Sequence, residues 1–357
     1  MSWALSIDRK TITDVTIVEE AKRPLEAGEI RLAINSFALT ANNITYAAFG
    51  DAMRYWDFFP GADGRCRLPV WGFADIAESR VDDLPVGERV YGYFPAASEL
   101  ITRPGKNTPG GFVDTSAHRA ELPPAYNAYV RCATDPGYTS GGEAAQMVLQ
   151  PLFITAWLLD FFLRDPANGF TEAPVILTSA SSKTAIALAF ALRQGGGRHA
   201  IGLTSSGNAD FVSGLGLYDS VTAYDAIDQL APSRPAVIVD FAGDSRVNRS
   251  LHEHLAGKLV GNIRVGGAHW DQSAPPRDLP PPKPQFFFAP DAARTLIKSW
   301  GPETFDQRYK AAWRTFAEAA SNYFDFRTVE GSAGALATYR ALLDGKAAPR
   351  DGVSVKV

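Results

Sequence analysis

The residues best suited to chemistry form a short polar stretch at positions 179–184, which reads SASSKT. It follows the apolar run PVILT and precedes an apolar stretch with helical spacing, so the pattern predicts a strand, a turn and a helix. Hydroxyls and a lysine at a helix N-terminus can bind a phosphate group, because the helix dipole favours an anion there. The candidate phosphate contacts are Ser179, Ser181, Ser182, Lys183 and Thr184.

Two other interpretations of this turn stay open. The SKT triplet is similar to the GKT of a Walker A loop, but that motif needs a glycine where this chain has Leu177, inside the predicted strand. The sequence therefore disfavours an ATPase. The other alternative is a serine-capped helix with an exposed lysine, because serine is a common helix cap.

The elements around this turn predict a parallel sheet. From about residue 143 apolar runs alternate with helical spacing, which is typical of βαβ units and a doubly wound sheet. Two helical stretches come first, the second starting at Pro151. They are followed by strands at 174–179, 199–205, 220–224, 235–243 and 259–267, and by helices at 182–193, 207–215 and 245–256.

The flanking parts of the chain have a different pattern. The first half alternates in strand fashion at 11–20, 29–39, 70–79 and 88–94, and residues 102–117 are interpreted as a loop. After a proline-rich stretch at 273–284, residues 305–324 predict a long amphipathic helix. The tail 353–357 predicts a last strand, so the β-rich ends are expected to pack together around an inserted α/β domain.

Length and composition limit the class of protein. A chain of 357 residues is expected to form two domains, and 46% apolar with 21% charged residues is typical of a soluble globular protein. The net charge of −4 gives little support for binding nucleic acid or anionic membranes. With only Cys66 and Cys132, a disulfide framework, a four-cysteine zinc lobe and ordinary iron–sulfur ligation are excluded.

The sequence predicts a cytoplasmic protein. Its N-terminus, MSWALSIDRKTITDV, lacks the basic and apolar regions of a secretory signal. The most apolar run, 151–163, is short and contains Asp160, so we do not expect it to span a bilayer.

Several stretches together resemble one superfamily in their order along the chain. EAGEIRLAINSFALTANNITYAAFG is similar to the opening of the medium-chain dehydrogenase/reductase superfamily, and LPVWGFADIAES followed by VDDLPVGERVYGYFP is similar to its most recognisable stretch. LQPLFITAWLLDFF, VIVDFAGDSRVNRSLHEHL, KLVGNIRVGGA and ALLDGKAAPRDGVSVKV resemble later parts of it. The branch resembled is that of the zinc-free quinone oxidoreductases and enoyl reductases.

The resemblance implies an α/β fold class with two domains. A GroES-like β-rich catalytic domain would comprise residues 1–145 and 290–357. A Rossmann domain with a doubly wound parallel sheet would comprise residues 146–289 and bind NADP(H).

The turn at 179–184 departs from the superfamily, where it is rich in glycine. Ser179, Ser182, Lys183 and Ala185 occupy the glycine positions here. The glycines allow a tight turn and a close approach of the backbone to the pyrophosphate. Serine is small enough at these positions if φ stays negative, and Lys183 could contact a phosphate oxygen.

The resemblance also favours NADP over NAD. A site selective for NAD carries Asp or Glu at the end of the second strand, where this chain has Thr204, Ser205 and Ser206. Tyr224 would lie beside the 2′-phosphate, and Asn208 replaces the usual lysine. The segment after the fourth strand adds Phe241 and Gly243 as cofactor contacts.

No zinc site is expected. The first active-site segment, LTANNITY, lacks the Cys and His that the zinc-dependent branch uses. The histidines at 118, 199, 252, 254 and 269 have no metal spacing, and His252 and His254 would point apart on a predicted helix.

A zinc-free enzyme of this kind would polarise a carbonyl group with a hydrogen bond. The candidate donors are Asn42, Asn43, Tyr46 and Tyr55. The aromatic residues Tyr55, Trp56, Phe58, Phe59 and Trp71 suggest a bulky apolar pocket, although such clusters are more often core.

The leading hypothesis is a zinc-independent NADPH-dependent reductase of an activated C=C bond in an enone, quinone or enoyl thioester. The alternative is a non-catalytic NADPH-binding sensor or partner module on the same fold. A homodimer through the LVGNIRVGGA strand is expected, since the family is often dimeric.

Overall fold

The structure is a computed structural model that describes residues 2–265 and 279–357. The chain forms two compact units. Unit 1 comprises Met1–Val148 and Phe324–Val357, and unit 2 comprises Leu149–Tyr323.

The first half of unit 1 is mainly β, as its alternating pattern predicts. Its strands are β1 (Ser2–Asp8), β2 (Val15–Glu20), β3 (Ile30–Leu39), β4 (Arg65–Arg67), β5 (Pro69–Ser79), β6 (Arg89–Pro95), β7 (Glu99–Thr102), β8 (Pro104–Thr108), β9 (Gly111–Asp114) and β10 (Ala128–Arg131). One helix, α1 (Ala41–Ala48), follows β3. The interpretation of 102–117 as a loop is wrong in part, because β8 and β9 pair there as an antiparallel hairpin.

A long helix, α2 (Glu143–Arg164), leads into unit 2. The prediction that a second helix starts at Pro151 is wrong, since Pro151 lies inside this single helix. Proline removes one intrahelical hydrogen bond, but buried neighbours such as Phe153, Ala156 and Leu158 keep the helix packed. The stretch Ser140–Arg164 is long and apolar enough to span a membrane, and 61% of its most apolar window is buried. The core helix of a soluble protein passes the same test of length and composition, so this finding by itself does not indicate a membrane span.

Unit 2 contains the predicted βαβ series. The elements are β11 (Val175–Leu177), α3 (Lys183–Gln194), β12 (Ala200–Thr204), α4 (Ala209–Gly214), β13 (Ser220–Ala223), β14 (Ala236–Asp240), α5 (Ser245–His254), β15 (Leu259–Arg264), β16 (Gln285–Phe286), α6 (Ala289–Trp300) and α7 (Pro302–Ala319). The sheet is parallel, with strand order β13-β12-β11-β14-β15-β16. The order reverses between β11 and β14, where open parallel sheets bind ligands.

One of the two edge strands of this sheet is β16, which pairs with Ile263 and Arg264 of β15. The predicted dimer segment LVGNIRVGGA is therefore not an edge strand at Ile263 and Arg264, where β16 covers it. Residues 266–268 of this segment lie outside the described residues. His269 lies outside them as well.

The end of the chain returns to unit 1 through β17 (Asp325–Glu330), α8 (Gly331–Leu343) and β18 (Asp351–Lys356). β18 pairs antiparallel with β3 in a sheet of order β17-β18-β3-β5-β6-β10-β9-β8, while β7 also pairs with β3. The two β-rich ends of the sequence thus pack together, as expected.

Residues 290–323 belong to unit 2, whereas the sequence placed them with the catalytic domain. Aromatic packing accounts for this difference. The Phe316 ring stacks on that of Phe153 with centroids 4.8 Å apart, and Phe305 lies 5.3 Å from Trp157. Helix α7 is amphipathic, as its spacing predicts, and its apolar side is buried within unit 2.

Candidate functional site

The polar turn in unit 2 has the predicted strand, turn and helix around it. β11 ends at Leu177 and α3 begins at Lys183. The Ser182 hydroxyl caps the helix by accepting from the backbone N–H of Ala185 at 3.3 Å. Lys183 and Thr184 lie half-buried in the first turn of α3.

Ser179 has a left-handed backbone, with a φ of +47°. The condition set from the sequence for a serine at this position, a negative φ, is therefore not met. A left-handed conformation costs a non-glycine residue about 1–2 kcal/mol. Two hydrogen bonds stabilise it: Ser179 N–H donates to the Tyr224 hydroxyl at 2.7 Å, and Ser182 N–H donates to the Ser179 carbonyl at 2.7 Å.

A second tyrosine binds the backbone of the next residue of the turn. The Tyr218 hydroxyl donates to the Ala180 carbonyl at 2.8 Å, and Ala180 N–H donates to the Leu203 carbonyl at 2.9 Å. A Cβ on Gly202 would lie only 3.0 Å from the Tyr218 ring and 3.1 Å from the Ala180 Cβ. Gly202 on the neighbouring strand β12 therefore lets the turn and the Tyr218 ring pack closely against that strand.

The end of β12 lies against this turn. The Ser181 hydroxyl accepts from Asn208 Nδ2 at 3.2 Å and from the Thr204 hydroxyl at 3.4 Å. Ser205 and Ser206 are exposed beside them. The structure thus brings Ser181, Thr204 and Asn208 together.

The segment after β14 is held to the turn by a buried carboxylate. Asp240 Oδ1 accepts from the Thr178 hydroxyl at 2.7 Å and from the N–H groups of Ala242 and Gly243, both at 3.1 Å. The Thr178 hydroxyl in turn accepts from Phe241 N–H at 3.0 Å. Phe241 and Gly243 therefore lie at the carboxyl end of the sheet, next to the turn.

The carboxylate continues into a buried polar network. Asp240 Oδ2 accepts from Asn248 Nδ2 at 2.8 Å, and Asn248 Oδ1 accepts from Asn262 Nδ2 at 2.9 Å. Asn262 also lies 2.9 Å from His252 Nε2. Sequence reasoning missed Thr178 and Asp240, although a polar residue at the end of each apolar run was a signal for both.

In unit 1, helix α1 carries three of the candidate donors. Thr40 and Asn43 form a capping box, in which Asn43 Oδ1 accepts from Thr40 N–H at 2.7 Å. Asn43 Nδ2 donates to the Pro69 carbonyl at 2.9 Å. The Asn43 amide is thus occupied in holding the helix, whereas Asn42 lies beside the Tyr46 hydroxyl.

Tyr46 lies in an aromatic cluster, and its hydroxyl oxygen is bound by neighbouring side chains. The Trp71 indole N–H donates to the Tyr46 oxygen at 3.2 Å, which leaves the phenol proton able to donate elsewhere. Burial raises the pKa of Tyr46 above its usual range. The Tyr55 ring lies 4.6 Å from that of Tyr46, and burial raises the pKa of Tyr55 as well. Both phenols are neutral hydrogen-bond donors at neutral pH.

The centre of this cluster is Tyr93, which sequence reasoning did not select. Its ring lies 4.8 Å from Tyr126, 5.2 Å from Trp71, 5.3 Å from Phe58 and 5.6 Å from Tyr46. The Tyr93 hydroxyl is fully buried and has no hydrogen-bond partner in the described part of the chain. Of the predicted aromatic residues, Tyr55, Phe58, Phe59 and Trp71 join the cluster, while Trp56 packs in the main core of unit 1.

A buried ion pair lies behind the cluster. Arg119 binds the carboxylate of Asp114 at 3.0 Å, and both side chains are at most 2% exposed. The guanidinium group lies 4.5 Å from the centre of the Phe59 ring. The Asp114 carboxylate thus neutralises the charge of Arg119 beside the aromatic cluster.

Among residues 2–265 and 279–357, no group of three or more His, Cys, Asp and Glu side chains could hold a metal ion. His118 binds the Phe58 carbonyl at 3.3 Å and His254 that of Leu230 at 2.7 Å.

Comparison with known families places the chain. Residues 37–348 match the family described as "Protein of unknown function (DUF2855)". The chain belongs to this family. No curated protein matches the DUF2855 chain in sequence.

Solved structures show the same fold over the full length. CurA from Vibrio vulnificus in complex with NADPH has a TM-score of 0.64 at 13% identity, covering 100% of this chain and 99% of the other. The yhdH oxidoreductase from Salmonella enterica in complex with NADP has a TM-score of 0.58 at 16% identity, with 100% of both chains covered. A putative NADPH:quinone reductase from Bacillus thuringiensis has a TM-score of 0.57 at 13% identity, covering 100% and 99%. The predicted fold, that of the medium-chain dehydrogenase/reductase superfamily with a GroES-like and a Rossmann part, is confirmed.

Proposed function

We propose that this protein is a zinc-independent, NADPH-dependent reductase of an activated C=C bond in an enone, quinone or enoyl thioester. The observation that carries the proposal is the polar turn at 178–184, at the point where the strand order of the parallel sheet reverses. Open parallel sheets bind dinucleotides at this point. Proteins of the same fold are described as complexes with NADPH or NADP, which supports the choice of cofactor.

The residues at the turn fit a dinucleotide phosphate. The hydroxyls of Ser181 and Thr204 converge there, and Lys183 lies in the first turn of α3, at its positive end. The end of β12 carries Ser205 and Ser206 instead of an acid, which suits a 2′-phosphate better than a carboxylate would. Phe241 and Gly243 border the site at the end of β14.

NADPH, when bound, supplies a hydride for the β carbon of the substrate. The chain's own task is to polarise the conjugated carbonyl and to manage the proton. Tyr46 is suited to donating a hydrogen bond to the carbonyl oxygen, because the Trp71 N–H stabilises negative charge on the phenol oxygen from the other side. Asn42 lies beside the same hydroxyl.

A proton must also reach the α carbon to complete the reduction. Tyr55 is the candidate donor. Burial raises the pKa of its phenol, and the hydrogen bond with the neighbouring Tyr126 hydroxyl opposes this rise. Tyr93 supplies a further unpaired hydroxyl for an acceptor oxygen of the substrate. Asn43 is assigned a structural role in α1.

The glycine-free turn favours a second candidate, a non-catalytic NADPH-binding sensor or partner module. One experiment separates the two. NADPH fluorescence titration establishes binding, and oxidation at 340 nm is then followed with a panel of enones, quinones and enoyl thioesters. Binding with turnover of at least one substrate supports the reductase, binding without turnover supports the sensor, and absence of binding by NADPH and NADH contradicts both.

We further propose a cytoplasmic location and a homodimer. Val260 of β15 and Phe286 of β16 are large apolar residues that are exposed on two neighbouring strands at one edge of the unit 2 sheet. The dimer would form at this edge. Light scattering of the purified protein at several concentrations tests the oligomeric state, and a monomer at all of them would contradict the proposal.

A further inference from the structure

Two tyrosine hydroxyls bind backbone groups of two successive residues of the glycine-free turn. Tyr224 accepts from Ser179 N–H at 2.7 Å, and Tyr218 donates to the Ala180 carbonyl at 2.8 Å. Tyr218 lies just before β13 and Tyr224 directly after it. The segment that contains β13 therefore holds the turn at one N–H group and one carbonyl group.

The Tyr224 bond acts on the strained residue of the turn. Ser179 has a φ of +47°, a conformation that a serine adopts at a cost. Ser179 also accepts from Ser182 N–H, and Ser182 is the N-cap of α3. A change in the backbone of Ser179 would thus move the residue that starts the helix, together with the N–H groups at the helix N-terminus.

Other contacts support a rigid Tyr224. Its ring packs against the cluster that includes Ile201, Leu203 and Ile227, and burial raises the pKa of its phenol. The hydroxyl stays neutral at neutral pH and remains an acceptor for Ser179 N–H. That oxygen accepts from the turn, so the contact made by the Tyr224 side chain in this structure is with the backbone of the turn.

We propose that Tyr224 is a positioning residue that holds the glycine-free turn in shape for the pyrophosphate of the cofactor. Tyr224 acts through Ser179, and it serves dinucleotides with and without a 2′-phosphate equally. This inference rests on the proposed function, because it requires that a dinucleotide binds at the turn.

The test compares two cofactors on one variant. Tyr224→Phe removes the acceptor for Ser179 N–H, and the Kd values of NADPH and NADH are measured by fluorescence titration. We expect both Kd values to rise about 2- to 10-fold, the effect of one hydrogen bond, with their ratio unchanged. A rise for NADPH alone would assign Tyr224 to the 2′-phosphate, and no rise for either would remove it from the site; both results overturn the proposal.

The matched control is Tyr339→Phe in unit 1. The Tyr339 hydroxyl donates to the Ile12 carbonyl at 3.0 Å, so its loss also removes a hydrogen bond between a tyrosine hydroxyl and the backbone, but outside the unit that carries the turn. We expect a lower Tm with unchanged Kd values. A comparable loss of cofactor binding in this variant would show that the Tyr224 effect reflects general destabilisation, which contradicts the proposal.

A second background tests whether Tyr224 acts through Ser179. Glycine adopts a positive φ without strain, so Ser179→Gly should reduce the effect of Tyr224→Phe on both Kd values. An undiminished effect in this background would mean that Tyr224 contacts the cofactor directly. Failure of the wild-type protein to bind NADPH or NADH would instead refute the proposed function, and the inference with it.

Discussion

The Thr178 hydroxyl donates to the Asp240 carboxylate at 2.7 Å and joins the ends of β11 and β14. The same carboxylate accepts from two backbone N–H groups and from Asn248. Asp240→Asn keeps one oxygen acceptor and places amide protons against the donors that bind the other oxygen. We expect a loss of about 2–3 kcal/mol in the free energy of unfolding, because buried donors lose their partner.

Urea unfolding of Asp240→Asn and of Asp228→Asn measures this loss. Asp228 is exposed, so its substitution should change stability little. Equal midpoints for the two variants would show that the network around Asp240 does not stabilise unit 2.

The strain at Ser179 predicts a stabilising substitution. Ser179→Gly removes the cost of a positive φ, but glycine also makes the unfolded chain more flexible, which offsets part of that gain. We expect the free energy of unfolding to rise by about 0.5–1 kcal/mol. Ser205 has a φ of −69°, so Ser205→Gly should be neutral or destabilising. Thermal unfolding of both variants checks this, and a lower Tm for Ser179→Gly would contradict it.

Lys183 is expected to contact a cofactor phosphate from the first turn of α3. Lys183→Ala should weaken NADPH binding by about 1.5–3 kcal/mol, the range for a hydrogen bond to a charged group. Lys298→Ala on α6 is the control, because Lys298 is exposed in the same unit. An NADPH Kd that is the same in both variants would show that Lys183 does not contact the cofactor.

Tyr46 is expected to be the main hydrogen-bond donor to the substrate carbonyl. Tyr46→Phe should lower kcat about 100-fold, as for loss of one oxyanion donor. Because burial raises the pKa of Tyr46, the phenol keeps its proton through its ordinary range near pH 10. The rate should therefore not fall between pH 7 and 9 through ionisation of Tyr46.

The measurement is kcat for the best substrate of the panel across this pH range, with Tyr55→Phe compared at each pH. Unchanged kcat in Tyr46→Phe would exclude the assigned role. A fall in the wild-type rate between pH 7 and 9 that is absent from Tyr46→Phe would show instead that Tyr46 ionises there.

Two neighbouring tyrosines should respond oppositely to loss of the hydroxyl. Tyr93→Phe removes a buried hydroxyl without a partner, so we expect a gain of about 1 kcal/mol in stability together with a lower kcat/KM. The Tyr129 hydroxyl donates to the Tyr93 carbonyl at 2.9 Å and accepts from Arg119 at 3.2 Å. Tyr129→Phe should therefore lose about 2 kcal/mol.

Thermal unfolding and steady-state kinetics of both variants test this pair. A less stable Tyr93→Phe would indicate that its hydroxyl is bonded in solution. An unchanged kcat/KM would remove Tyr93 from the substrate site.

The sequence by itself determined the fold and the place of the turn. Apolar runs and helical spacing are local properties, so the change near residue 143 from alternating strands to βαβ units could be predicted from neighbouring residues. The hydroxyl-rich turn between Leu177 and Ala185 was visible for the same reason. The order of the stretches that resemble the superfamily then indicated that the last strand, β18, belongs to the β-rich unit.

Only the tertiary structure decided how the turn is held and which tyrosines meet. Ser179 and Tyr224 are 45 residues apart, and Thr178 and Asp240 are 62 apart. Their contacts depend on which strands lie side by side, which local spacing does not encode. Residues 290–323 belong to unit 2 for a similar reason, since an amphipathic helix shows that it has a partner but not which one. A glycine-free turn can keep a left-handed residue because distant side chains supply the hydrogen bonds that offset its strain.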